Sequence, residues 1–226
     1  MKPCACWRSG RTRRGPKPMR HVSPMAAAVL LWVIWFSTWL IAARWSNRSL
    51  SRGSIGDEVR YRLFLMPGIA LLFLHPAGWA ESFARPRVHV PTWLAWAAVG
   101  LVLAGFAWMW WARVPLGRMW SSGVALKASH KLLRSGPYAI TRHPIYTGFL
   151  LAAVGTAAIR PGISTALGIV LFLIGIVIKL RQEERLLMTT DLAAEYRAYR
   201  SEVPALLPFP RRATTRTPDA ADPPSA

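Results

Sequence analysis

Acid is scarce in this sequence: ten Asp and Glu stand against 29 Lys and Arg, a formal net charge of +19. Cysteine is scarcer still. Cys4 and Cys6 form a Cys-x-Cys near the start with no partner cluster elsewhere, so neither a disulfide framework nor a structural zinc site is expected, and no bound metal. No glycine-rich strand-to-helix turn with a following acidic residue occurs, which excludes a dinucleotide-binding sheet. Clustered Lys and Arg attract phosphate backbones. Here, however, there is no zinc finger, no aromatic sheet motif and no basic helix of sufficient length. Anionic lipid beside juxtamembrane Arg accounts for the charge, and no nucleic-acid partner is expected.

Charge of any sign is confined to 17% of the chain, against 53% apolar residues and 12 Trp, a departure from soluble-domain composition towards the membrane class. Runs free of formal charge cover residues 25–43, 63–80, 91–112, 145–159 and 163–178. The first and third reach the roughly 20 residues that a helix needs to cross a hydrocarbon core. The second carries Pro67, His75 and Pro76, which a span tolerates where neighbouring helices satisfy the freed backbone groups. The last two are short and separated by Arg160-Pro161-Gly162, a turn signal, so residues 145–178 read as a helical hairpin. Gly148 and Gly155 on one arm, and Gly168 and Gly175 on the other, suit close helix approach. Trp45, Trp93 and Trp96, then Trp108, Trp110 and Trp111, suit aromatic belts at the membrane surfaces.

The expected fold is therefore all-α, a polytopic membrane bundle of about five transmembrane helices ending in a helical hairpin. The chain divides into a basic segment 1–24, three N-terminal spans in 25–112, a region 113–209 that carries the chemistry, and a disordered tail 210–226 rich in Pro, Thr, Ala and Asp. Placing the C-terminus inside puts 18 basic residues in the inner segments and 10 outside, so the basic-inside rule favours a cytoplasmic C-terminus and site. The seven basic residues before Met25 run against that count, unless translation starts at Met19 or Met25 or the topology has a sixth or re-entrant segment. The Ala- and Arg-rich composition points to a bacterial inner membrane. An amphipathic helix from about Lys179 to Ser201 should lie against the cytoplasmic face. The oligomeric state is left open.

Between the third run and the hairpin stands the segment from His130 to Gly148, with Gly136-Pro137-Tyr138, three residues, then Arg142-His143-Pro144-Ile145-Tyr146-Thr147-Gly148. After the hairpin come Glu183-Glu184, Tyr196, Tyr199 and Val203-Pro204. This pattern, over about residues 123–209, resembles the isoprenylcysteine carboxyl methyltransferase family and its phospholipid N-methyltransferase relatives. The resemblance implies a helical membrane fold that holds S-adenosylmethionine between the hairpin and the C-terminal helix. It further implies that His130, Lys131, Leu132, Leu133, Tyr138, His143 and Tyr146 line the cofactor site. Family enzymes acting on prenylated cysteine carry a basic residue about four positions before the place of Glu184. Here that position is Leu180, flanked by Lys179 and Arg181, which become the candidates for holding an acidic acceptor.

Several of these residues make sense on physical grounds alone. Pro144 fits the first turn of a helix, where its missing N–H is not needed, so His143 takes the cap position and Tyr146 lies one turn on. Such a helix start, with Arg142 alongside, suits the cofactor's carboxylate. Glu184, with Leu180, Leu187 and Met188 as helical neighbours, lies on the stripe turned from water and demands a partner, for which the cofactor's sulfonium or ammonium is suited. Glu183 has Lys179 one turn back. An ionised carboxylate acceptor needs little acid–base help, whereas an amine must lose a proton to His143, Tyr146 or Glu184, the three candidate catalytic residues. The expected function is methyl transfer to a lipophilic acceptor that reaches the site through the surrounding membrane lipid. A phospholipid or small-lipid N-methyltransferase is the first alternative, and a non-catalytic membrane accessory the second.

Overall fold

The computed structural model describes residues 22–44, 49–52, 54–74, 89–117, 125–127 and 132–207. Seven helices are formed by the described residues: α1 (Pro24–Ala43), α2 (Ile55–Phe73), α3 (Thr92–Leu116), the single turn α4 (Pro137–Ile140), α5 (Pro144–Ile159), α6 (Ile163–Leu187) and α7 (Ala193–Glu202). A two-stranded antiparallel ribbon, β1 (Ser49–Arg52) with β2 (Ala125–Lys127), ties the stretch after α1 to the stretch before α4. The sequence carries no strand signal that foretold it. Three helices, α1, α3 and α6, are long and apolar enough to cross a membrane, and α5 is a shorter apolar helix.

Each start has a local cause. Ser23 accepts from the Ala26 N–H and Pro24 opens α1. Ser54 accepts from the Asp57 N–H, and Asp57 and Glu58 place negative charge in the first turn of α2. That cap moves α2 upstream of the apolar run expected at 63–80. The helix takes in the charged turn 55–62 and closes at Phe73, with Leu74 already extended. Residues 75–80, His75 and Pro76 among them, lie outside the described residues, as do Trp45 and the segments 1–21 and 208–226. Of the tryptophans expected in the belts, Trp93, Trp96 and Trp111 are exposed on α3, whereas Trp108 and Trp110 are partly buried, Trp110 against Trp39.

The helices pack as two slabs. In one, α3 lies against both α5 and α1, around Trp35, Trp39, Val102, Phe106, Met109 and Ala152. In the other, α2 lies along α6, and Leu72, Ala153, Phe172 and Ile176 join this slab to α5. The glycines of the hairpin permit close approach, but to partners other than each other. A methyl group on Gly148 would stand 2.5 Å from Met109 Cγ and 2.6 Å from the Gly105 carbonyl on α3. One on Gly175 would meet Leu65 and Tyr61 of α2 at 2.9 to 3.0 Å. The arms share the turn at 160–162, yet each spends its small-residue face on a different neighbour.

The long amphipathic helix expected from Lys179 to Ser201 is two helices. It breaks after Leu187, where the Thr189 and Thr190 hydroxyls donate to the carbonyls of Leu186 and Leu187 and compete with the helix ladder. The break lets α7 fold back over the start of α5.

Candidate active site

The short connection between α4 and α5 is where the chain's polar groups converge. Pro144 opens α5 with His143 in the cap position, as the sequence required, but the His143 side chain does not cap the helix. Its Nε2 lies 3.2 Å from Glu184 Oε1, and its ring stacks on Tyr146 with centroids 5.6 Å apart. Glu184 is 6% exposed, in keeping with its place on the inward stripe of α6. Its partner is Arg142, whose Nε and Nη2 donate to the same carboxylate oxygen at 3.1 and 2.8 Å, with Arg200 Nε 3.7 Å from the other oxygen.

Arg142 does more than balance that charge. Its Nη1 donates to the Arg200 and Val203 carbonyls at 3.1 and 2.5 Å, and its backbone N–H to Pro204 at 2.8 Å. The His143 N–H donates to Ala205, and the Thr147 hydroxyl to the Leu206 carbonyl at 2.6 Å. Residues 200–206 are thereby bound edge-on to the chain entering α5. Tyr199 completes the clasp by donating to the Tyr138 carbonyl, while Tyr138 donates to Ala112 of α3 at 3.3 Å. Burial pushes the Tyr199 phenol up to about 12, and raises Tyr138 and Tyr196 above the ordinary tyrosine range as well. All three are neutral at physiological pH. Outside the clasp, Arg134 pairs with Glu202 and lies over the Tyr199 ring.

A cavity of about 990 Å³ opens beside this clasp and runs between the two slabs. Its polar end is lined by Tyr138, Arg142, His143, Tyr146, Lys179 and Glu183, together with Leu132 and Leu133. The Tyr146 hydroxyl donates to Glu183, and the Lys179 ammonium lies 5.6 Å from the Tyr146 ring centroid and 5.1 Å from that of Tyr61. Tyr196 also lines the cavity at 2% exposure, beside Glu184 and Arg142. Gln182, on the other side of α6, donates to the Asp57 carbonyl at 3.0 Å and fixes the first turn of α2 beside the site.

Most of the candidate residues thus meet in one place. Leu132, Leu133, Tyr138, Arg142, His143, Tyr146 and Lys179 line the cavity; Glu184 sits behind Arg142 and His143; Arg181 lies on the exposed side of α6 and is not among the lining residues. His130 and Lys131 lie outside the described residues. Sequence reasoning passed over the apolar wall. Trp32, Trp35 and Trp39 line the cavity from α1, and their spacing of three and four residues puts them on one helical face, a signal that was available.

Apolar helices around a cavity with one polar end define an integral membrane protein. Comparison with known proteins agrees. Residues 98–189 match the model of the isoprenylcysteine carboxyl methyltransferase (ICMT) family. A methanethiol S-methyltransferase of Mycobacterium tuberculosis is 29% identical over 178 residues, covering 60% of this chain and 70% of that protein. Probable protein-S-isoprenylcysteine O-methyltransferases of Oryza sativa subsp. indica and subsp. japonica are each 27% identical over 131 residues, covering 57% of this chain and 69% of theirs. The likeness to the isoprenylcysteine carboxyl methyltransferase family is thus carried by residues 98–189, and with the apolar helices and the methyltransferase names of the relatives it supports a membrane methyltransferase.

Proposed function

We propose that this chain transfers a methyl group from S-adenosylmethionine to a lipophilic acid, in a cavity reached from water at one end and from the bilayer at the other. The carrying observation is the cavity of about 990 Å³ with Lys179, Glu183, His143 and Tyr146 at one end and aromatic walls at the other. That volume stands at the upper limit of pockets that enclose one ligand, roughly 300–1,000 Å³, and has room for a donor and a compact acceptor together. In this reading α2 and the shorter α5 cross the bilayer together with α1, α3 and α6.

The polar end suits the cofactor. Glu183 can face a cationic group, and the Tyr138, Tyr196 and Tyr199 rings offer faces to a sulfonium or an adenine. When bound, S-adenosylmethionine supplies an electrophilic methyl group on a cationic sulfur. The protein's task is then alignment of the two reactants within about 3 to 3.5 Å. Tyr146, held by Glu183 and stacked on His143, fixes the wall at the junction of the two ends. Lys179 attracts an anion to that junction. The apolar walls add a preference: a carboxylate loses its charge on becoming an ester, which a low-dielectric cavity favours, whereas an amine remains or becomes cationic. Glu184, behind this surface, and Arg142, at its edge, hold residues 200–206 in place.

The Oryza relatives are named for carboxyl methylation and the Mycobacterium relative for a thiol, so a lipophilic thiolate, also an anion, is the second reading. Membranes containing the protein, given S-adenosylmethionine labelled in its methyl group, are expected to place label in the organic-soluble fraction. Mild base should release it as methanol from an ester and leave it on a thioether or an amine. Label confined to soluble protein or nucleic acid would overturn the proposal.

A further inference from the structure

We infer that Trp32, wedged against Phe73, is the floor of the acceptor site and sets the length of apolar tail the enzyme accepts; this rests on the methyl-transfer reading above. The Trp32 indole N–H donates to Thr156 Oγ1 of α5 at 3.0 Å, which fixes the ring in one orientation. Its edge meets Phe73, the last residue of α2, with centroids 5.6 Å apart at 87°, and it meets Phe106 of α3 at 4.9 Å. It stacks over Phe149 of α5 at 6.4 Å. One side chain thus bridges the two slabs.

Above this contact the slabs stand apart. The outer rim of the cavity is lined by Val33, Phe36 and Leu40 of α1 and Met66 of α2, all of them exposed, which is where a tail would pass in from lipid. Lys179 and Phe172, on the wall of α6, are seven residues apart, roughly 10 Å of helix. A molecule whose acid lies at Lys179 and whose tail follows the helices therefore has about that length before it meets the Trp32–Phe73 contact. A longer straight tail would have to turn out through the rim. The occupant that fits is a lipophilic anion with a compact body, such as a medium-chain or aryl-substituted acid or thiol. Trp32 and Phe73 both precede residue 98, so the floor is contributed by helices outside the segment that matches the family.

The test uses the full chain in detergent with graded straight-chain carboxylic acids and thiols as probes. Two readings are taken: methyl transfer from labelled S-adenosylmethionine, and thermal stabilisation by each probe in the presence of S-adenosylhomocysteine, which needs no turnover. The native protein should respond up to a limiting length. Trp32→Leu and Phe73→Ala, both at partly buried positions, should each extend the limit. KM for the first excluded homologue should fall by about tenfold or more, the scale on which a pocket discriminates single methylenes. An unchanged limit in both folded variants, or no limit in the native protein, would overturn the floor. A limit that shifts in the thermal assay while no probe is methylated would leave the floor standing and reject the methyl-transfer reading instead.

Discussion

At the scale of single residues, the informative comparison is between the two adjacent glutamates. Glu184 is buried and shares one oxygen among Arg142 and His143, while Glu183 faces the cavity and accepts from Tyr146. Removing one member of a buried, hydrogen-bonded ion pair leaves the other uncompensated, at a cost of about 3–5 kcal/mol. Glu184→Ala should therefore lower the melting temperature, and should loosen residues 199–206 in hydrogen exchange, because Arg142 holds their carbonyls. Glu183→Gln should leave the melt nearly unchanged and weaken S-adenosylmethionine binding. Equal melting temperatures for Glu184→Ala and the native protein would show that the clasp does not depend on that carboxylate.

Helix by helix, the fold is organised by where backbones come close. Gly105 and Gly148 face each other across α3 and α5, and a methyl on either would sit 2.6 Å from the other's carbonyl oxygen. Backbone cannot yield as a flexible side chain can, so Gly148→Ala is expected to destabilise by about 1–3 kcal/mol through overpacking. Gly100, on the same helix α3, has nothing within 4 Å of where its Cβ would be. Gly100→Ala should be tolerated or stabilise by up to about 1 kcal/mol, since Ala is the better helix former. Thermal melts of the two variants in one detergent make the comparison; similar losses in both would refute the close-packed seam. The four glycines were legible in the sequence as packing residues at intervals of seven, but their partners were not. Spacing reports a face, and only the fold says which neighbour meets it. The break after Leu187 was missed as well. No glycine or proline stands between Lys179 and Ser201, so the sequence offers no breaker at Thr189 and Thr190 to end the helix there.

For the molecule as a whole, the motif residues were the most legible part, because a proline at a helix start and a carboxylate on an apolar stripe each have few physical uses. The aromatic floor was the least legible, since tryptophans in a membrane segment read first as interface anchors, and Trp32 acquires its role from Phe73 and Thr156, distant in sequence. Orientation depends on both kinds of information. Ala42 near the end of α1 is bonded to Arg113 near the end of α3, the first turn of α2 to Gln182 near the end of α6, and the start of α5 to residues 203–206, so these ends share one face of the bundle with the polar end of the cavity. That face carries Arg44, Arg60, Arg62, Arg113, Arg142 and Arg185, whereas Arg160 lies in the turn at the far end of α5 and α6. Basic residues flanking apolar helices are retained on the cytoplasmic side. A reporter that folds only in the cytoplasm, fused after Leu207, should therefore be active, and the same reporter inserted at Pro161 should be silent. The reverse pattern would turn the bundle over and place the polar end of the cavity in the exported compartment.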